Sequence, residues 1–371
     1  MKAPRLEIDL RKLHHNARTL VERLSPRGIS VTGITKATLG SPDVAGAMLR
    51  AGVRSLGDSR IENIEKLRCA GVTAPLTLVR SPMLSQVHRV VAHADVSCNS
   101  ELDVITALAA AAEATGRTHG VLLMVDLGDL REGILPGDLT GMVRDMQRLP
   151  AVVLAGIGTN LACQSGVSPD AANMGELSAL VRSIEDRFGL TIGIVSGGNS
   201  ANLDWALGGD GPGRINNLRL GESILLGCEP LHRRPIEGLH TDAITLVAEV
   251  IESKRKPSQP RGEIGQTAFG APVPARDRGN HVRTIVAVGH QDVDPSGLLA
   301  PVGIEVIGAS SDHLIVGAGR DRLPIGAEVS FQLNYSALVR AMTSPFVGKV
   351  VTVADEGAPV SVAASNPSPV P

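Results

Sequence analysis

The chain has 371 residues, 43% hydrophobic and 20% charged, with a formal net charge of −2 and a pI near 6.6. That balance excludes the basic excess of a nucleic-acid binder, and aromatics at 2% leave little to stack on bases. No apolar run is long enough to span a membrane and the first residues carry no signal-like apolar core, so a cytoplasmic protein is expected. Cys69, Cys98, Cys163 and Cys228 form no CxxC pair. They read as small buried thiols in a reducing compartment, with no zinc cage or disulfide framework.

Residues 6–10 alternate like a strand, and Asp9 can cap a following helix with Leu13, Ala17, Leu20, Val21 and Leu24 on one face. Strand-like runs then fall at 31–34, 53–56, 76–79, 95–98, 120–126, 152–156, 192–195 and 217–220. Helical patterns lie between most of them, at 61–69, 101–114, 139–149 and 171–188. About eight βα units in this length predict an α/β fold, a (β/α)8 TIM-type barrel. A doubly wound open sheet is the alternative. For a dinucleotide it would need Gly-x-Gly-x-x-Gly after the first strand, and Gly33-Ile34-Thr35-Lys36 is not that.

Past about Gly227 the pattern changes to strand-like runs at 243–251, 284–288, 303–307, 313–316, 328–333 and 347–353, separated by Pro/Gly/Asp turns. These predict a smaller all-β domain, a small barrel or sandwich. The expected division is a barrel over 1–227 and a β-domain over 228–352, with strand 6–10 a candidate to join the latter. The Ala/Ser/Pro/Val-rich end, 353–371, is expected to be a disordered tail.

The chemistry collects at the ends of the barrel strands. Lys36 follows the first of them, and Ser41-Pro42-Asp43 then starts a helix. Asp58-Ser59-Arg60, Arg131, Asn160, Ser200 and Arg219-Leu220-Gly221-Glu222-Ser223 fall at or after later strand ends, so a barrel places them all at one mouth. Two segments there make an anion site. Ser196-Gly197-Gly198-Asn199-Ser200 and Gly221-Glu222-Ser223 each open a helical turn, after the seventh and eighth strands. A phosphate site beside a lysine points to pyridoxal phosphate linked through Lys36. Arg60, Arg131 and Arg219 would lower the pKa of that amine by like-charge repulsion.

Five stretches carry a resemblance: Ile34-Thr35-Lys36-Ala37, Val125-Asp126-Leu127-Gly128-Asp129-Leu130-Arg131-Glu132-Gly133, Gly156-Ile157-Gly158-Thr159-Asn160, Ser196-Gly197-Gly198-Asn199-Ser200 and Leu218-Arg219-Leu220-Gly221-Glu222. In this order they resemble the alanine racemase-type, fold-type III pyridoxal-phosphate enzymes, most closely the ornithine racemase (alanine/ornithine racemase-like) branch. Gly308-Ala309-Ser310-Ser311-Asp312-His313 and Asn334-Tyr335-Ser336-Ala337-Leu338 also resemble that branch. The resemblance implies an amino-acid racemase, acting by removal and return of the Cα proton. In it Arg219 donates to the pyridine nitrogen and keeps the ring neutral, a poorer electron sink that favours reprotonation at Cα over transamination. Arg131 matches an arginine near the cofactor's phenolic oxygen and the substrate carboxylate, though Asp126, Asp129 or Glu132 could equally hold it in a salt bridge. Asn160 would bond the cofactor or orient Arg131, or simply cap a turn. Arg219 and Arg131 with Asn160, Ser200, Gly221 and Glu222 are therefore the candidate cofactor residues, together with Tyr335 at the phosphate.

Racemisation needs a proton acceptor on each face of Cα, and Lys36 serves one. Alanine racemases supply the other as a tyrosine from the partner's β-domain. The matching stretch here has Phe269, which carries no proton, and Thr38-Leu39-Gly40 replaces the tyrosine expected after the lysine. The second base is open among His290, Asp292, Asp312, His313 and Tyr335, and a head-to-tail homodimer with shared active sites is expected. Asp292 or Asp312 could pair with a distal ammonium, which favours a basic substrate such as ornithine. Alanine racemisation proper, a D-threonine aldolase- or D-serine dehydratase-like lyase, and a non-catalytic cofactor carrier are the alternatives. The lyases add a metal in the β-domain, for which no compact motif is present, and the carriers resemble the barrel alone.

Overall fold

The computed structural model describes residues 2–209, 211–270, 277–319 and 322–352, so the expected tail at 353–371 lies outside the described residues. The chain forms two compact units, one from Lys12 to Thr241 and the other comprising the chain up to Arg11 and from Asp242 on.

The first unit is a closed barrel. After β1 (Arg5–Asp9), which belongs to the second unit, come β2 (Ser30–Ile34), β3 (Ser55–Asp58), β4 (Leu76–Leu78), β5 (Val96–Asn99), β6 (His119–Val125), β7 (Val152–Thr159), β8 (Ile194–Ser196) and β9 (Asn217–Leu220). Each pairs in parallel with the next, and β9 closes on β2 with Arg219 opposite Thr32. Every residue of β6 is buried because the strand faces apolar groups on both sides. Val121, Leu123 and Val125 pack outward on the helices Leu102–Ala114, Leu139–Met146 and Ala171–Phe188, while Leu122 and Met124 point inward with Cys98. Each such buried Val or Leu contributes roughly 1.5–3 kcal/mol. Because all eight strands run parallel, every strand's carboxyl end, and the loop after it, comes to one mouth. A helix at Val87–His93 between β4 and β5 completes a βα unit for which the sequence had shown no clear pattern.

The second unit is an eight-stranded sheet built on β10 (Ile244–Pro257). The other strands are β11 (Asn280–Val286), β12 (Leu298–Leu299), β13 (Glu305–Ala309), β14 (Leu314–Gly317), β15 (Glu328–Leu333) and β16 (Gly348–Thr352). The fourteen residues of β10 serve two sets of neighbours across a bulge between Val250 and Glu252. β1 pairs antiparallel with β10 and parallel with β16, which places the chain's beginning inside this sheet. In β15, Val329, Phe331 and Leu333 are buried while Glu328 and Ser330 are exposed, the period-2 signature of a half-covered strand. One feature departs from an all-β reading. Tyr335–Thr343 is a helix, capped by Asn334 and buried through Ala337, Leu338, Ala341 and Met342. Nine residues give only two turns of periodicity, too few to stand out in the sequence.

Candidate active site

Lys36 is placed by its neighbour. β2 ends at Ile34, after which the Thr35 N–H donates to Gly57 O at 2.9 Å and its hydroxyl donates to Asp58 Oδ2 at 2.7 Å. Asp58 is fully buried and is itself held by the Arg60 N–H and Asn63 Nδ2, each at 2.9 Å. Thr35 being clamped, Lys36 opens a 3-10 turn, Lys36–Thr38, and its side chain stays reachable by solvent. The surrounding wall nonetheless displaces enough water to lower the pKa of the amine below the ordinary lysine value. The positive charges of Arg131 and Arg219 add to that shift, while Cys163 and Asp58 oppose it. The repulsion expected from Arg131 and Arg219 is therefore present, but burial is the larger cause.

Arg219, between Leu218 and Leu220 on β9, turns into the barrel and is only 7% exposed. It donates to Thr159 O at 2.7 Å, to Asn160 Oδ1 at 3.3 Å and to Ser196 Oγ. Below it Ser196 Oγ donates to Asn217 Oδ1, and Asn217 Nδ2 donates to Thr32 Oγ1, at 2.8 and 2.9 Å. A buried guanidinium costs several kcal/mol unless its donors are met, and these carbonyl, amide and hydroxyl oxygens meet three of its five. Burial still draws its pKa down from the usual arginine value.

The two glycine-bearing turns meet. Ser200 and Ser223 hydroxyls lie 3.0 Å apart, and the Ser223 N–H donates to Ser200 Oγ at 3.2 Å. Gly198 has φ +143, and a Cβ there would sit 2.1 Å from Asn202 Oδ1. That oxygen accepts the Asn199 N–H at 3.0 Å. Gly221 faces Ile34 at the end of β2, so the turn after β9 lies beside the strand that carries Lys36. Glu222 is a mixed case. Its backbone belongs to this turn, while its carboxyl pairs with Arg233 and is pushed up in pKa by burial, against the pull of Arg233 and Lys36.

Arg131 pairs with Glu132 through its Nε and one Nη, which occupies two of its five donors. Asp126 instead turns onto the Gly128 and Leu130 N–H groups. Asn160 Oδ1 accepts from Arg219 and from Asn199 Nδ2, but its own Nδ2 is buried without a partner among the described residues. An orphaned buried donor beside a lysine and two arginines fits an anionic or oxygen-rich ligand such as pyridoxal phosphate.

Three participants went unrecognised in the sequence. Asp58 was seen only as a strand-end residue, not as the clamp on Thr35. Asn199 sits in a recognised motif, but its bonds to Asn160 Oδ1 at 3.1 Å and Leu161 O at 2.8 Å are tertiary. Cys163 was read as a small buried thiol. It is exposed, as is Cys69; only Cys98 is buried, and Cys163 lies close enough to Lys36, Arg131 and Arg219 to act on all three.

In the sheet unit, the segments carrying the other candidates run side by side. His290 and Gln291 donate their N–H groups to Ser310 O and Ser311 O, and Gln291 Nε2 reaches Asp312 Oδ1 at 3.1 Å. His290, Asp312 and His313 are thus gathered at one edge, with Asp312 and His313 exposed and the Phe269 ring 4.0 Å from His290. Asp292 differs: its carboxylate is buried and accepts Ser344 Oγ at 2.8 Å, bonded inward. Tyr335 is half-buried at the start of its helix. Among the described residues no group of three or more His, Cys, Asp or Glu side chains is placed to hold a metal, and no helix is long and apolar enough to cross a membrane.

Known proteins resemble the chain in sequence and in fold. The chain is 39% identical to a lysine racemase of Thermotoga maritima over 94% of its own length and 99% of the relative's. It is 38% identical to an ornithine racemase of Acetoanaerobium sticklandii, over 93% and 99% of the two chains. A crystal structure of alanine racemase from Streptomyces lavendulae superimposes with a TM-score of 0.74 over 95% of this chain and 98% of that one, at 20% identity, a likeness of fold alone. The family model for the alanine racemase N-terminal domain matches residues 8–230. With Lys36, Arg131, Asn160 and Arg219 drawn to one barrel mouth and near-full-length relatives at this identity, the chain belongs to the alanine racemase family.

Proposed function

We propose that the protein is an isomerase, a pyridoxal-phosphate-dependent racemase of basic amino acids such as ornithine or lysine, working in the cytoplasm. The observation that carries this is Lys36: an amine with a lowered pKa, positioned by Thr35 and Asp58 in the field of Arg131 and Arg219. Its near-full-length relatives being named as lysine and ornithine racemases supports the substrate class.

Lys36 would hold the cofactor through its amine, the meeting turns at Ser200, Gly221 and Glu222 would receive its phosphate, and Arg219 would donate to the ring nitrogen. Once bound, the cofactor supplies an acceptor for the electrons left at Cα. Lys36 is suited to take and return a proton at Cα on one face, because a depressed pKa leaves its amine unprotonated nearer neutral pH. Arg219 stays a donor, since its Thr159 and Asn160 contacts need its N–H groups. Arg131 keeps three donors for a substrate carboxylate, and Asn160 Nδ2 offers two more. The proton on the other face would come from a neighbouring chain's sheet unit in a head-to-tail homodimer. His290 and Asp312 are better placed for this than Asp292, whose carboxylate is committed to Ser344. Asp312, exposed, is the better candidate for a distal ammonium.

Racemisation rates for L-ornithine, L-lysine and L-alanine test the assignment. Ornithine or lysine should exceed alanine in kcat/KM, by up to ~5-fold from one exposed charge contact worth about 1 kcal/mol alone. Faster turnover of alanine refutes the basic-substrate assignment, and no turnover of any of the three refutes the racemase.

A further inference from the structure

Two loops at the barrel mouth carry site residues, and one side chain joins them. The loop after β6 holds Arg131 and is rigid within itself: Asp126 Oδ1 accepts the Gly128 and Leu130 N–H groups at 2.8 and 3.2 Å. Its two ends are tied by Asp126 N–H to Ile134 O and Ile134 N–H to Met124 O. The loop after β7 holds Asn160 and Cys163. Between them stands Asp129, 1% exposed. Its Oδ2 accepts the N–H groups of Cys163 and Gln164 at 3.1 and 2.9 Å, and its Oδ1 those of Ser165 and Val167 at 3.1 and 3.5 Å. Ser165 Oγ donates back to the Asp129 carbonyl at 2.7 Å. Among the described residues, every hydrogen bond recorded between the two loops converges on Asp129.

We propose that Asp129 is a positioning residue for the reaction, fastening the Arg131 loop to the Asn160–Cys163 loop so that both present their side chains to one substrate. The inference rests on the racemase assignment. A structural carboxylate could cap any turn, but this one is two residues from Arg131 and takes its N–H groups from the loop bearing Asn160. Four donors converging on two oxygens require a carboxylate, because an amide would set its own N–H₂ against two of them. The many N–H bonds also outweigh burial and hold the Asp129 pKa below the ordinary carboxylate value.

Asp129→Asn tests this in the full chain with pyridoxal phosphate present. The variant should retain the bound-cofactor absorbance, because Lys36, Arg219 and the turns at Ser200 and Gly221 lie on neither loop, while KM for L-ornithine or L-lysine rises roughly 10- to 100-fold and kcat falls less as the donors aimed at the substrate carboxylate lose their alignment. Alkylation of Cys163 by iodoacetamide should also become faster as its backbone tether is lost. A variant with wild-type KM and wild-type Cys163 reactivity overturns the proposal, as does a loss of activity that merely follows loss of cofactor. If Asp129→Asn cannot be purified, Ser165→Ala decides: it should raise KM by a few-fold, and an unchanged KM overturns the proposal. Failure of the racemase assignment would show separately, as wild-type protein that binds no pyridoxal phosphate and racemises nothing.

Discussion

Gly198→Ala probes the first of the two glycine-bearing turns proposed to receive the phosphate. The added Cβ would lie 2.1 Å from Asn202 Oδ1 and 2.9 Å from its Cγ, at φ +143. Asn202 is fully buried and does two jobs, accepting the Asn199 N–H at 3.0 Å and donating from Nδ2 to Gly197 O at 2.9 Å. It cannot move aside without abandoning both. Leaving buried polar groups unmet costs about 1–3 kcal/mol, and forcing a non-glycine residue into this backbone region costs about 1–3 kcal/mol more. Some relaxation is inevitable, so the expected loss is roughly 3–5 kcal/mol in denaturant unfolding of the cofactor-free protein, with affinity for pyridoxal phosphate weakened at least ~10-fold. On an Asn202→Ala background the same change should cost only the backbone strain, a non-additivity that identifies the clash as the cause. A loss below about 1 kcal/mol with unchanged cofactor affinity would refute both the steric reasoning and the turn's role as a phosphate seat.

Lys36→Ala should abolish the borohydride-sensitive near-ultraviolet to blue absorbance and reduce racemisation by at least ~10³-fold; a variant still absorbing and still active would remove Lys36 from the mechanism. Because the amine must be unprotonated, kcat/KM should rise with pH through a value below that of an ordinary lysine, and a profile rising only near the ordinary value would contradict the lowered pKa. Asp58 opposes that lowering, so Asp58→Asn should move the acid limb to still lower pH; movement the other way would show that its charge does not act on Lys36. His119, 1% exposed beside Ser97, has its pKa pushed from 6.5 to about 4 by burial. Below pH 6.5 the unfolded chain takes up a proton that the folded one resists, so stability should fall by roughly 3 kcal/mol as pH drops toward 4. Denaturant titrations of His119→Leu should show a flatter pH dependence over that range, and an unaltered one would mean another group is responsible.

Much of this was written locally. β-branched runs, Gly/Pro punctuation and helical spacing act over a few residues, so the barrel's repeating units, the start of the helix Pro42–Arg50 at Ser41-Pro42 and the extent of β9 were legible without any tertiary knowledge. Lys36 was found because a strand end in a βα unit is a fixed place in space, and Arg219 because it falls at another such strand end within a stretch that resembles the family's motif. What the chain's local pattern could not express was which loops would touch. Asp129 was one of three acids near Arg131 that might have paired with it. Only folding showed Glu132 on the arginine, Asp126 turned onto its own loop and Asp129 reaching some 34 to 38 residues ahead. Cys163 became an exposed thiol, and Asp292 a buried partner of Ser344, for the same reason. Propensity and hydrophobic period are properties of neighbours in sequence. The partners of a polar side chain depend on which distant backbone groups the closed barrel leaves unsatisfied beside it, and that is settled only when the strands have met.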